Sequence, residues 1–124
     1  MQYFKMSEFD CKCGKCDGGS DMMTLELLEK LEYARNLAGI PFVITSGYRC
    51  EKHNREVGGV AGSAHTKGMA VDIRCNSSAT RFKLLKALFA AGFKRIELAP
   101  TWIHVDVDPT KPQDVAFYQS GGRY

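Results

Sequence analysis

The sequence predicts an α+β fold, a small and mostly antiparallel sheet with flanking helices. Three observations carry this expectation. Two stretches space their apolar residues as helices do, and four short stretches read as strands. The last two strands are separated only by Ala99-Pro100-Thr101, a turn too short for a parallel crossover. The 124 residues are 44% hydrophobic and 25% charged, which suits one domain around one core and excludes a collagen, a coiled coil and a two-domain enzyme.

Each element has its own warrant. Residues 1–21 read as an irregular cysteine-containing segment, with Cys11, Cys13, Cys16, Gly14, Gly18 and Gly19 and little periodicity. A helix is expected over 23–38, where Leu27, Leu28, Leu31, Ala34 and Ala38 form one stripe and Gly39 supplies the stop. Residues 41–46, Pro-Phe-Val-Ile-Thr-Ser, form a short β-branched strand, and 50–57 a short helix ended by Gly58-Gly59. A strand over 69–74 puts Ala70, Asp72 and Arg74 on one face and Val71 and Ile73 on the other. Ser77 or Ser78 caps the next helix, with Phe82, Leu85, Leu88 and Phe89 expected inward and Gly92 as the stop. Strands over 95–98 and 102–107 complete a catalytic core of 22–108, and 109–124 is left as a tail.

Composition narrows the function classes. Seventeen basic against 14 acidic residues give a net charge of +3, too small and too scattered for a nucleic-acid surface. No apolar run approaches the roughly 18–20 residues of a membrane span, and residues 1–8 lack the core of a secretory signal. The expectation is therefore synthesis in the cytoplasm, and a monomer as the default.

Five cysteines cannot all pair within one chain. Cys11, Cys13 and Cys16 have the spacing of a thiolate metal site, with Cys50 or Cys75 as fourth ligand. The same residues can equally be surface thiols or form one or two disulfides.

A different constellation suits catalysis. His65 lies in a Gly-rich loop before Asp72, and alternation places Trp102, His104 and Asp106 on one strand face. If these strands are neighbours, His65, Asp72 and His104 converge as two imidazoles and one carboxylate. That donor set suits a zinc ion with one position left for water. Arg49, at the end of a strand and turn, has the chemistry to grip a carboxylate or an oxyanion.

The segments Ser46-Gly47-Tyr48-Arg49, Asn54, Val57-Gly58-Gly59, Ser63-x-His65-x-x-Gly68-x-Ala70-x-Asp72 and His104-x-Asp106 closely resemble the zinc-dependent murein peptidases. These include D-Ala-D-Ala carboxypeptidases and L-alanyl-D-glutamate endopeptidases, many from phage lysis modules, with a fold shared by the signalling domain of hedgehog proteins. The resemblance covers about residues 22–108. It implies Zn2+ held by His65, Asp72 and His104, with Arg49 and Ser63 in the substrate cleft and a peptidoglycan stem peptide as substrate. It also implies action on the wall after release from the cell. Many members carry an acid three residues before the last ligand as general base; here that residue is Thr101. Glu97 is the first replacement, and Asp106 the second, or else the partner of a ligand imidazole. Trp102 is a candidate wall of the cleft. The missing acid leaves a second reading open, a non-catalytic zinc module that binds wall peptide or a protein partner.

Overall fold

The computed structural model describes residues 2–16 and 18–119. Helix α1 (Leu25–Ala38) is followed by strand β1 (Ile44–Ser46), helix α2 (Glu51–Glu56) and strand β2 (Ala70–Arg74). Helix α3 (Ser78–Ala90) then leads to β3 (Arg95–Leu98), β4 (Trp102–Asp106) and β5 (Val115–Tyr118). Single 3-10 turns span Met6–Phe9, Ser20–Met22 and Ala64–Lys67. The architecture is the expected α+β one. Its five strands lie in the order β1-β2-β4-β3-β5, antiparallel except for the β3–β5 pair.

One sheet face is apolar and covered by helices. Val71, Ile73, Ile96, Ile103 and Val105 are buried there, against Leu27, Leu28, Leu31 and Ala34 of α1 and Leu84, Ala87 and Leu88 of α3. The α1 stripe falls where its periodicity predicts, and Gly39, in the left-handed region, ends that helix. Ser77, not Ser78, caps α3, its hydroxyl accepting the Thr80 N–H.

Two expectations need correction, and the N-terminal segment adds a finding of its own. Phe82 and Phe89 do not face inward; they are 69% and 54% exposed. Helix α3 is apolar on more than one side, so periodicity alone leaves its rotation open, and packing against α1 selects Leu84, Ala87 and Leu88. The N-terminal segment has little regular structure, as expected, but it is not peripheral: Phe4 and Phe9 are buried in the core and their rings lie 5.6 Å apart. Part of the expected tail is strand β5, paired in parallel with β3. Residues 120–124 of that tail lie outside the described residues.

Leu31→Ala, at a fully buried position of α1, is expected to cost about 2–5 kcal/mol of unfolding free energy in urea titration. Phe82→Ser on the exposed face of α3 should stay within about 0.5 kcal/mol of the parent. Comparable losses at both positions would contradict this assignment of the α3 face.

Candidate metal centre and active site

The second sheet face is polar, and its register builds the site. Asp72 of β2 stands opposite His104 of β4, and His104 stands opposite Glu97 of β3. Ser46 of β1 continues the row beyond Asp72, and Phe117 of β5 continues it beyond Glu97. His65 enters from the 3-10 turn before β2. Its N–H is held by the Ser63 hydroxyl, which accepts it at 3.2 Å.

Two ring nitrogens meet at one carboxylate oxygen. His65 Nε2 lies 3.2 Å and His104 Nδ1 3.1 Å from Asp72 Oδ1. All three residues are buried, at 0%, 1% and 2% exposure for His65, His104 and Asp72. The opposite nitrogen of each ring is anchored. His65 Nδ1 donates to the Gly47 carbonyl at 2.8 Å, and a carbonyl can only accept, so this nitrogen carries the proton. His104 Nε2 donates to Asp106 Oδ2 at 2.7 Å. In the neutral rings, the remaining lone pairs of His65 Nε2 and His104 Nδ1 therefore both point toward the Asp72 carboxylate. Two imidazole lone pairs and a carboxylate oxygen facing one another are a cation-binding set, and N,N,O donors suit zinc.

Electrostatics follow the same geometry. Burial alone would raise the Asp72 carboxyl, but the two imidazoles beside it hold it well below the usual carboxylate range. Burial pushes the His65 imidazole down, outweighing the attraction of Asp72. Burial also opposes charge on His104, yet its bonds to Asp106 and Asp72 raise it to about 9. A metal held here would take the place of a proton between His104 Nδ1 and the Asp72 oxygen.

Surrounding residues hold the donors still. Asp106 accepts from His104 Nε2, from Arg95 Nε at 3.1 Å and from the Asp108 N–H at 3.2 Å. Arg49 is buried. It donates to Ser46 Oγ at 3.2 Å and to Asn54 Oδ1 at 2.9 Å, and its Nη2 lies 3.8 Å from Asp72 Oδ2. Glycine is required at position 47, because a Cβ there would lie 2.7 Å from the Phe9 Cα.

Glu97 differs from its neighbours. It is 1% exposed, and among the described residues its Oε2 has no hydrogen-bond partner. Burial pushes its carboxyl up to about 7, the value of a group that can both take and give a proton near neutrality. Thr101 sits exposed in the turn between β3 and β4. Trp102, half-buried at the start of β4, pairs across to Arg74. Cys11, Cys13, Cys16 and Cys50 form a separate cluster, whereas Cys75 is buried in the apolar core.

Two supports were not visible in the sequence reading, the Gly47 carbonyl and Arg95. The first is a backbone atom and leaves no trace in side-chain type. The second was legible in principle: the tight Ala99-Pro100-Thr101 turn fixes a hairpin register in which Arg95 meets Asp106 as an opposite charge.

An α+β chain with a buried His–Asp–His donor set and an adjacent unpartnered carboxylate has the equipment of a metal-dependent hydrolase. A family model described as Peptidase M15 matches residues 2–106, and the chain belongs to that family. Its members are zinc peptidases of the D-Ala-D-Ala carboxypeptidase and endopeptidase type. The match begins before the 22–108 expected from motifs, ends at residue 106, and takes in the cysteine segment. No curated protein matches the chain.

Replacing Asp106 by Asn should lower zinc affinity about 10–100-fold in chelator competition, because the amide no longer fixes the His104 ring as a carboxylate does. An unchanged affinity would show that the His104 orientation does not depend on Asp106.

Proposed function

We propose that the chain is a zinc-dependent peptidase that hydrolyses peptide bonds in peptidoglycan stem peptides, of the D-Ala-D-Ala carboxypeptidase or L-Ala-D-Glu endopeptidase type. The observation that carries this reading is the convergence of His65 Nε2 and His104 Nδ1 on Asp72, with the unpartnered Glu97 carboxylate one strand away. Family membership supports peptide hydrolysis in general, and the stem-peptide substrate rests on the motif resemblance.

His65, Asp72 and His104 would hold the metal. Zinc in such a site supplies an acidified water and an electrophile for the scissile carbonyl. Glu97 then acts as general base and acid, taking a proton on Oε2 and returning it to the departing amine. Its raised pKa favours both halves of that exchange. Asp106 has its oxygens engaged by His104, Arg95 and the Asp108 N–H, so its part is to orient the His104 ring. Arg49 contributes through Asp72, whose carboxylate it faces from beneath the surface. Ser63 contributes through the turn that carries His65. Trp102, half-buried on the same strand face as His104, would flank a bound peptide.

The acting form we assign is a monomer. The site of action we assign is the cell wall, reached after release from the cytoplasm, as in phage lysis. Glu97 also bears on the alternative of a non-catalytic wall-binding module, since it offers an acid where Thr101 cannot.

Mass spectrometry of purified peptidoglycan should show new stem-peptide fragments after incubation with the protein, and a chelator should abolish them. Glu97→Gln should lower the rate about 10²–10⁴-fold while zinc content is retained. Bound zinc with an unchanged wall would overturn the enzymatic reading in favour of the binding module. Full activity of Glu97→Gln would overturn the choice of base.

A further inference from the structure

A second group of metal-binding side chains lies outside the site described above and has no part in the proposed reaction. The sulfurs of Cys11, Cys13, Cys16 and Cys50 all lie within 4.8 Å of one another. Cys13 Sγ is 3.4 Å from Cys16 Sγ and 4.0 Å from Cys50 Sγ. These separations bracket the edge of about 3.8 Å that a sulfur tetrahedron has around zinc, whose bonds to thiolate are about 2.3 Å. All five cysteines are unbridged, and Cys75 stands apart, buried in the core beside the Ser77 carbonyl.

The backbone is arranged for thiolates. In the turn Cys13-Gly14-Lys15-Cys16, the N–H groups of Lys15 and Cys16 both donate to Cys13 Sγ at 3.3 Å. Gly14 sits in the left-handed region at φ +69°, which lets the chain fold back around the sulfur. The Cys50 N–H donates to Cys11 Sγ and the His53 N–H to Cys50 Sγ, each at 3.4 Å. The sulfurs of Cys11, Cys13 and Cys50 thus accept backbone donors, which favour the anionic form that binds metal. Lys15 and Lys52 line the same depression as Cys13, Cys16 and Cys50, together with Glu56. Their charge opposes the double negative charge of a divalent ion held by four thiolates.

We propose that Cys11, Cys13, Cys16 and Cys50 hold a structural zinc ion that clamps the N-terminal segment onto the loop carrying Gly47 and Arg49. Four protein ligands close the coordination sphere, so this ion has no position for substrate and its role is structural. The clamp has a definite reach. Cys11 lies just beyond Phe9, whose carbonyl accepts the Tyr48 N–H at 3.0 Å and whose backbone packs on Gly47. Cys50 directly follows Arg49. The ion therefore ties the N-terminal segment to the loop whose Gly47 carbonyl sets the His65 ring and whose Arg49 faces Asp72. This inference does not rest on the peptidase reading.

The test is metal analysis of the full chain purified under reducing conditions. Two zinc ions per chain are expected, one of them released by a mercurial thiol reagent. Cobalt exchanged into the protein should give an intense sulfur-to-cobalt charge-transfer band in the near ultraviolet, since only sulfur ligands produce one. The Cys13→Ser/Cys16→Ser variant should lose that band and one zinc, with a lower thermal midpoint. The His65→Ala variant should keep the band and lose the other zinc, which separates failure of the catalytic site from failure of this one. If the double variant does not fold, the mercurial titration and cobalt spectrum of the parent protein still decide the matter. No mercurial-released zinc and no charge-transfer band in the parent would overturn the proposal, as would iron in place of zinc.

Discussion

Everything in the site depends on the antiparallel register between β2 and β4, which sets Asp72 opposite His104. Side chains alternate along a strand, so a slip of one residue would turn His104 into the core and bring Ile103 or Val105 to the polar face. Burial prevents the slip. Ile73 and Ile103 are paired on the apolar face, as are Val71 and Val105, and α1 and α3 cover them. At roughly 25 cal/mol per Å² of apolar surface removed from water, the helix-covered face supplies a driving force that a misregistered pair would forfeit. The apolar face of the sheet thereby fixes the chemistry of the polar one.

The polar face carries a cost that its hydrogen bonds must offset. Arg49, Asp72, Arg95, Glu97, His104 and Asp106 are all buried, and an unpaired buried charge is strongly destabilising. Nearly every one has a partner: Arg95 with Asp106, Asp106 with His104, His104 with Asp72, and Arg49 with Asn54 and Ser46. Glu97 Oε2 is the exception among these groups, and it lies beside the donors. A carboxylate left without a partner in this network contributes less to rigidity, which fits the proton transfer proposed for it. Gly47 links this network to the N-terminal segment, holding the His65 ring with its carbonyl and admitting the Phe9 backbone against its missing side chain.

The sequence displayed the parts whose signal is local. The α1 stripe and the alternation of Trp102, His104 and Asp106 are written in spacing alone, and the cap of α3 is narrowed there to Ser77 or Ser78. Convergence of His65, Asp72 and His104 needed one further assumption, that their strands adjoin, and the β2–β4 pair satisfies it. Features set by packing were hidden. The rotation of α3 is one, because its apolar residues occupy several sides. The parallel pairing of β5 is another, since Val115–Tyr118 is a short strand whose partner lies in an earlier element. The depth of Arg49 was also hidden: an arginine after a turn reads as a surface group, yet Asn54, Ser46 and Asp72 draw it inside. Among the cysteines, spacing could not choose between Cys50 and Cys75, and the turn before α2 brings Cys50 to the cluster.

The central claim is that the Gly47 carbonyl and Asp106 aim one lone pair from each imidazole at a metal shared with Asp72. The most direct measurement is a crystal structure of the zinc-loaded protein with an anomalous map at the zinc edge. The account predicts a peak bonded to His65 Nε2, His104 Nδ1 and an Asp72 oxygen at about 2.0–2.2 Å. Gly47 and Asp106 should still hold the opposite ring nitrogens. A peak on His65 Nδ1 or His104 Nε2, or no peak among these three residues in zinc-saturated crystals, would contradict it.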